Sequence, residues 1–218
     1  MTEIRDSFPC AEGDRNPILL IHGIWDRQEI FNTMSTYLSE QGWSVYRFNL
    51  IPNDGSAKME VLAQQVCNYI TEKFPPEKPF DLVGVRMGGL VSRYYVERVG
   101  GIERVQRFVT ISSPHQGTYT AYATGLDGYV QMRPKSDFLQ DLDRDVQMLE
   151  RINFTSIWTP LDAIIIPASS SQMPMGEEVK INVLFHPLMV SDPQSLNAIR
   201  NALLAPLKIQ DQKKGFSN

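Results

Sequence analysis

Short apolar runs alternate with amphipathic segments along most of the chain. Apolar runs typical of buried strands cover residues 18–21, 44–50, 80–85, 105–111, 154–158, 163–166 and 179–184. Helical spacing of apolar positions covers 28–40, 56–73 and 191–204, and a further helix is expected after residue 85. Because strands and helices alternate, the pattern predicts an α/β fold with a mostly parallel sheet and helices on both faces.

The alternation is least regular between residues 115 and 151. This stretch follows a predicted strand, so it is either a cap or substrate-contacting insertion, or a surface helix with a loop. The whole pattern predicts a single domain over 16–208, with tails at 1–15 and 209–218. Ser56 is expected to cap the second predicted helix.

The composition of the chain argues against several classes of function. The chain has 218 residues and a net charge of −4, so it lacks the basic surface that nucleic-acid binding requires. Cys10 and Cys67 have no metal-binding or redox spacing, and no phosphate loop appears, so no metal and no cofactor are expected. The sequence as given has neither a secretory signal nor an apolar run long enough to span a bilayer. These features predict a soluble, cytoplasmic protein without stable membrane insertion.

The strand predicted at 80–85 runs into Gly84-Val85-Arg86-Met87-Gly88-Gly89 and then into a helix. This segment matches the nucleophile-elbow pattern G-x-S-x-G at every position except the serine, where Arg86 stands. The flanking glycines allow the strand and the helix to approach closely around a strained turn. The segment therefore predicts the backbone of a serine-hydrolase site without its nucleophile.

Two later residues fit the base and the acid of such a site. Acyl transfer on this architecture uses the chain order nucleophile, acid, histidine. His186 is one of only three histidines and follows the last predicted strand, and Asp162 follows an earlier one, 24 residues before it. An isolated histidine or aspartate on a loop is more often a surface residue, but the two together occupy the expected strand ends in the expected order. We therefore predict that Asp162 orients His186.

The segment His22-Gly23-Ile24-Trp25 directly follows the first strand. In this architecture such a turn supplies one oxyanion-hole amide, here that of Ile24, and the residue after the elbow position, Met87, supplies the second. His22 fits a structural hydrogen bond better than a base. His115 is expected to support a loop near the pocket, and the predicted substrate-pocket residues are His22, Trp25 and His115.

Taken together, these motifs resemble the small bacterial lipases and esterases of the α/β-hydrolase superfamily. The resemblance rests on Asn16 to Ile24, Tyr37 to Trp43, Gly88-Gly89 with Tyr94-Tyr95, and the segments around Asp162 and His186. It implies an α/β-hydrolase fold and a site in which a serine attacks an acyl ester, with His186 as base and Asp162 as the orienting acid. The position of that serine is occupied by Arg86. The implied partner is a small acyl ester or a fatty acid, and a monomer is expected.

Arginine changes the expected chemistry of this site. A guanidinium stays protonated and has no nucleophilic lone pair, so the chain as written is predicted to be catalytically impaired or inactive. Three alternatives remain. Arg86 binds the carboxylate of a fatty acid or another anion beside the helix N-terminus; Arg86 pairs with Asp162 or turns to solvent; or Asp162 and His186 activate a water molecule directly.

Overall fold

The computed structural model describes residues 15–208, so the predicted tails at 1–15 and 209–218, including Cys10, lie outside the described residues except for Arg15. Six parallel strands form one sheet in the order β2-β1-β3-β4-β5-β6. The strands are β1 (Ile18–Ile21), β2 (Val45–Phe48), β3 (Phe80–Val85), β4 (Val105–Ile111), β5 (Asn153–Trp158) and β6 (Glu177–Lys180). The α-helices are α1 (Asn32–Ser39), α2 (Met59–Lys73), α3 (Met87–Arg98), α4 (Asp127–Gln131), α5 (Asp137–Arg144) and α6 (Pro193–Leu204).

Helices cover both faces of the sheet, as the alternation of strands and helices predicts. Alternate residues of β1 enter two separate cores: Leu19 and Ile21 pack with α2 and α3, whereas Ile18 and Leu20 pack with α1 and α6. A strand whose successive side chains point to opposite faces is largely apolar when both faces are covered. This burial explains why β1 reads as a continuous apolar run, whereas β3 and β4 each keep a charged residue, Asp81 and Arg107, which pair with one another.

The strand order places a topological switch between β1 and β3. From β1 the chain moves to one side to form β2, and it then crosses back and builds the sheet outward in the other direction from β3. Loops after the two strands at such a point diverge and leave a crevice at the carboxyl edge of the sheet. The loop after β1 and the turn after β3 carry His22 and Arg86, respectively.

Two predicted elements are wrong. Residues 163–166 do not form a strand, because the amides of Ile164 and Ile165 donate to Asp162 Oδ1 and that of Ile166 donates to Thr118 Oγ1. These side-chain acceptors replace the backbone acceptors of a sheet. Ser56 does not cap α2: its hydroxyl donates to Asp54, and the helix begins three residues later.

The last strand is shifted relative to its prediction. β6 covers Glu177–Lys180 rather than 179–184, and most of its residues are exposed. It pairs only with β5, at the edge of the sheet. An edge strand with open faces needs no apolar run, so the hydrophobic pattern does not mark it.

The stretch 115–151 combines two kinds of structure. In α5, Phe138, Leu139 and Leu142 are buried in the core that contains α3, so this helix is an integral part of the fold. The preceding part holds α4 and a 3₁₀ turn, Tyr119–Ala123, whose Tyr119 and Tyr122 are exposed. Only this preceding part has the exposed surface of a candidate cap, and its role as a cap stays a prediction.

Candidate active site

The predicted turn between β3 and α3 is present, and Arg86 is its central residue. Arg86 has φ 57° and ψ −123°, a positive-φ conformation that L-residues rarely adopt. Its amide donates to the carbonyl of Ile111 on the neighbouring strand at 2.9 Å. A Cβ added to Gly88 would lie 2.3 Å from the carbonyl oxygen of His22. Only glycine therefore allows α3 to pack this closely on the end of β1.

His186 and Asp162, the predicted base and acid, meet at the same edge of the sheet. His186 Nδ1 donates to Asp162 Oδ2 at 2.6 Å, and both side chains are buried. The other carboxylate oxygen of Asp162 accepts the amides of Ile164 and Ile165, each at 2.9 Å. These contacts fix the tautomer of the imidazole and its orientation, since the Nδ1 proton is held by a fixed carboxylate.

The pKa of Asp162 is lowered. Burial alone would raise the pKa of this carboxyl, but the hydrogen bond and the charge of His186, with the amides of Ile165 and Ile164, outweigh burial. Asp162 therefore stays ionised at neutral pH. A fixed negative charge at Nδ1 is what an imidazole needs in order to take up a proton at Nε2.

His186 Nε2 is buried and has no hydrogen-bond partner among residues 15–208. A buried polar nitrogen without a partner is costly and uncommon. In an acyl-transfer site this nitrogen accepts the proton of the nucleophile. The His186–Asp162 pair thus has the arrangement of a general base with its acceptor nitrogen unused.

The Arg86 side chain pairs with Asp26, a residue that the sequence analysis missed. Arg86 Nη1 lies 2.5 Å from Asp26 Oδ2, and Nη2 donates to the carbonyl of His186 at 3.2 Å. The side chains are only 13% and 17% exposed, respectively. The expectation that Arg86 pairs with Asp162 or turns to solvent is therefore wrong. Asp162 is already saturated by His186 and two amides, so the guanidinium uses the carboxylate of the β1 loop.

A sequence signal for Asp26 exists, but it is weak. Asp26 follows His22-Gly23-Ile24-Trp25 directly, on the loop that the topological switch places beside the elbow turn. A cation at the elbow position calls for an anion on one of the adjoining loops, and Asp26 is the acid nearest to the histidine-glycine turn. A Cβ added to Gly23 would lie 2.9 Å from the Cβ of Arg86, so the loop passes directly against that side chain.

The two predicted oxyanion-hole amides lie on the segments that follow β1 and β3. Met87 is the first residue of α3, so its amide has no acceptor within the helix. Ile24 is half-buried in the loop after β1, and within the described part of the chain no acceptor is found for its amide. Donors in such places are available to an anion. Their role as an oxyanion hole stays a prediction.

Trp25 links this loop to the insertion. Its backbone adopts φ 60°, and its amide donates to the carbonyl of Asn53 at 2.7 Å, so it is not a third free donor. Its indole N–H donates to the hydroxyl of Tyr129 on α4 at 3.0 Å, while 67% of the residue is exposed. Trp25 therefore lies at the surface beside the crevice, as a residue of the pocket wall would.

The other two histidines have buried, structural surroundings. His22 accepts the Leu50 amide at Nε2, and its Nδ1 lies 2.8 Å from the Gly23 carbonyl, so both nitrogens are used. Burial lowers the pKa of His22. His115 is fully buried, with Nε2 3.0 Å from Thr110 Oγ1, and burial followed by the charge of Arg93 holds its pKa well below 6.5. Both imidazoles are neutral supports, and a part for them in the substrate pocket stays a prediction.

The architecture and this arrangement define the class of protein: an α/β-hydrolase. The family model for palmitoyl protein thioesterases matches residues 17–143, from β1 through α5, and the chain belongs to this family. The matched stretch includes the Arg86 turn and the β1 loop but ends before Asp162 and His186. The chain is thus a lipase- and esterase-like α/β-hydrolase, as the resemblance to lipases implies.

Solved structures confirm the fold. The mature form of the Bacillus licheniformis lipase BlEst2 aligns with a TM-score of 0.73 and 13% identity over 90% of this chain and 96% of that one. Aspergillus fumigatus lipase B aligns with a TM-score of 0.69 and 16% identity over 87% of this chain but only 52% of that one. A lipase-esterase related protein from Clostridium acetobutylicum aligns with a TM-score of 0.61 and 16% identity over 85% and 93% of the two chains. Within residues 15–208, no helix is long and apolar enough to cross a membrane.

Proposed function

We propose that this chain is an acyl-ester hydrolase whose nucleophile position is occupied by Arg86, so that the protein as written has little or no hydrolytic activity. The proposed substrate class is a lipid acyl ester or, from the family to which the chain belongs, an acyl thioester. His186 is the proposed base and Asp162 the residue that orients it. The amides of Ile24 and Met87 are the proposed donors to the oxyanion.

One observation carries this proposal: His186 Nε2 is buried without a partner while Nδ1 is held by Asp162 at 2.6 Å. The combination separates His186 from the other two histidines: His22 uses both nitrogens, and His115, whose Nδ1 also lacks a partner among residues 15–208, has a threonine hydroxyl and no carboxylate at its other nitrogen. The missing partner of Nε2 is the hydroxyl that a serine at position 86 would supply. Arg86 has no lone pair for this purpose, and its guanidinium lies between the β1 loop and the His186 segment.

The test is hydrolysis of a medium-chain nitrophenyl ester by the protein as written, by Arg86→Ser and by Arg86→Ser/His186→Ala. The serine hydroxyl restores covalent catalysis, so Arg86→Ser is expected to raise kcat/KM by on the order of 10³-fold or more. The His186→Ala change in the same background should remove that gain, because the hydroxyl then has no base. Arg86→Ala is the control: it removes the bulk of the arginine without supplying a nucleophile, so it should stay inactive.

Equal activity of the original chain and Arg86→Ser would contradict the proposal and place the catalytic residues elsewhere. Activity of the original chain that His186→Ala abolishes would instead support direct activation of water by His186 and Asp162. A gain in Arg86→Ser that survives His186→Ala would refute the assigned base.

A second candidate function is the binding of an anion, such as a fatty-acid carboxylate, in the former active site. The observation that favours it is the contact between the guanidinium and a carboxylate, that of Asp26, at 2.5 Å beside the first turn of α3. Guanidinium–carboxylate pairs are strong where water is largely excluded. The same contact also limits this function, because an external anion must compete with Asp26.

A further inference from the structure

The guanidinium of Arg86 is held at two of its three nitrogens. Nη1 contacts the carboxylate of Asp26, Nη2 donates to the carbonyl of His186, and Nε is buried without a partner among residues 15–208. Asp26, a carboxylate of the protein itself, thus makes the shorter of the two contacts of this guanidinium. His186 Nε2 is likewise buried without a partner among residues 15–208.

We propose that Asp26 is an internal carboxylate ligand that closes the Arg86 site, and that the site takes the carboxylate of a fatty acid once this ligand is withdrawn. Asp26 is then the residue that determines whether the site accepts an external anion. The inference rests on the second candidate function, since both concern the same guanidinium, and it is independent of any hydrolytic activity.

The backbone around Asp26 is anchored independently of its carboxylate. The Asp26 carbonyl accepts a hydrogen bond from the side-chain amide of Asn53 at 2.5 Å, and the backbone amide of the preceding residue, Trp25, donates to the Asn53 carbonyl at 2.7 Å. Removing the charge of Asp26 should therefore leave the loop in place. Asparagine has the same shape as aspartate and a neutral oxygen, so it frees the charge of Arg86 without creating a cavity.

Apolar side chains near the site suit the hydrocarbon part of such a ligand. Leu184 and Phe185 directly precede His186 and are 67% and 64% exposed, respectively. Asp162 is likewise followed by Ile164, which is 52% exposed. Exposed apolar groups on the two loops that carry the polar pair provide a surface for an acyl chain whose head group reaches Arg86. This placement favours a carboxylate with a chain over a small inorganic anion.

The experiment is titration calorimetry with octanoate, acetate and inorganic phosphate on the full chain and four variants. The variants are Asp26→Asn, Asp26→Ser, Asp26→Asn/Arg86→Ala and the matched control Glu29→Gln, which removes one exposed negative charge from the same loop. Octanoate is expected to bind Asp26→Asn at least about tenfold more tightly than the original chain or Glu29→Gln, a change of about 1.4 kcal/mol. The double variant should lose this gain, and acetate should bind more weakly than octanoate.

Each other result overturns a defined part of the inference. If the original chain and Asp26→Asn bind octanoate equally and Asp26→Asn/Arg86→Ala does not bind it, the anion-binding function stands and the role of Asp26 is refuted. Gained binding that persists in the double variant would place the ligand away from Arg86. If no variant binds any anion, both the inference and the anion-binding function fail, whereas the hydrolase proposal is judged by Arg86→Ser alone. Asp26→Ser gives the same comparison should Asp26→Asn fail to fold, as monitored by circular dichroism.

Discussion

The site has two halves, the His186–Asp162 pair and the turn at Arg86, and different interactions determine their geometry. His186 and Asp162 are oriented by side-chain hydrogen bonds, with the carboxylate held in turn by two backbone amides. The turn at Arg86 is shaped by backbone packing: Gly88 lies against the carbonyls of Ile21 and His22. The first half therefore depends on the identity of the side chains at positions 162 and 186. The second is shaped by backbone contacts that do not involve the side chain of residue 86.

The charges show the same contrast. One carboxylate, Asp162, is saturated by the imidazole of His186 and two amides. The other, Asp26, is used by the guanidinium. Because the cation has its own partner, Arg86 does not disturb the His186–Asp162 pair. The arrangement of His186 and Asp162 is therefore compatible with an arginine at the elbow position.

The largest effect on stability is expected where backbone packing shapes the turn. Gly88→Ala places a Cβ 2.3 Å and 2.4 Å from two backbone oxygens, which can be relieved only by moving α3 or β1. We expect the free energy of unfolding to fall by about 3 kcal/mol. Urea denaturation measures this change. Gly125→Ala is the control, because no atom lies within 4 Å of its added Cβ, and it should change stability by less than about 0.5 kcal/mol.

If Gly88→Ala unfolded at the same urea concentration as the original chain, the turn would not be held by this contact. The two halves of the site would then not differ in the way described.

A smaller effect, dependent on pH, is expected in the half held by side chains. The folded-state pKa of Asp162 is below its ordinary value, so its ionised form stabilises the fold above the unfolded pKa, and this contribution is lost as the pH falls through the folded pKa. Asp162→Asn should therefore lower the free energy of unfolding by about 2 kcal/mol at pH 7. The difference from the original chain should shrink below about pH 4, where the unfolded carboxyl is protonated.

Thermal unfolding of both proteins from pH 3 to pH 8 measures this. A difference that is constant over the whole range would mean that Asp162 acts through packing and not through its charge.

The smallest effect is expected from the conformation of residue 86. Its φ of 57° is strained for a residue with a Cβ and unstrained for glycine. Both Arg86→Gly and Arg86→Ala lose the Asp26 contact, so the difference between them isolates the backbone. We expect the glycine variant to be more stable than the alanine variant by about 1 kcal/mol, as measured by urea unfolding. Greater stability of the alanine variant would argue that the turn relaxes when the arginine is removed.

Much of this architecture can be read from the chain alone. The strands predicted at 18–21, 80–85 and 105–111 coincide with β1, β3 and β4, because strands covered on both faces are largely apolar. The elbow turn is likewise visible, since close packing of a strand and a helix requires glycine at particular positions. The candidate residues His186 and Asp162 follow from chain order, and the structure brings them together, although their catalytic roles stay predictions.

Tertiary structure decided what the local pattern does not contain. Residues 163–166 have the composition of a strand, but their amides are captured by Asp162 and Thr118, which lie outside the segment. β6 is polar because an edge strand has little to bury. The pairing of Arg86 is likewise determined by tertiary structure, since Asp26 lies 60 residues away along the chain. Local sequence determines which backbone shapes are accessible and which chemical groups are present, whereas packing of distant loops at the sheet edge determines which of these groups meet.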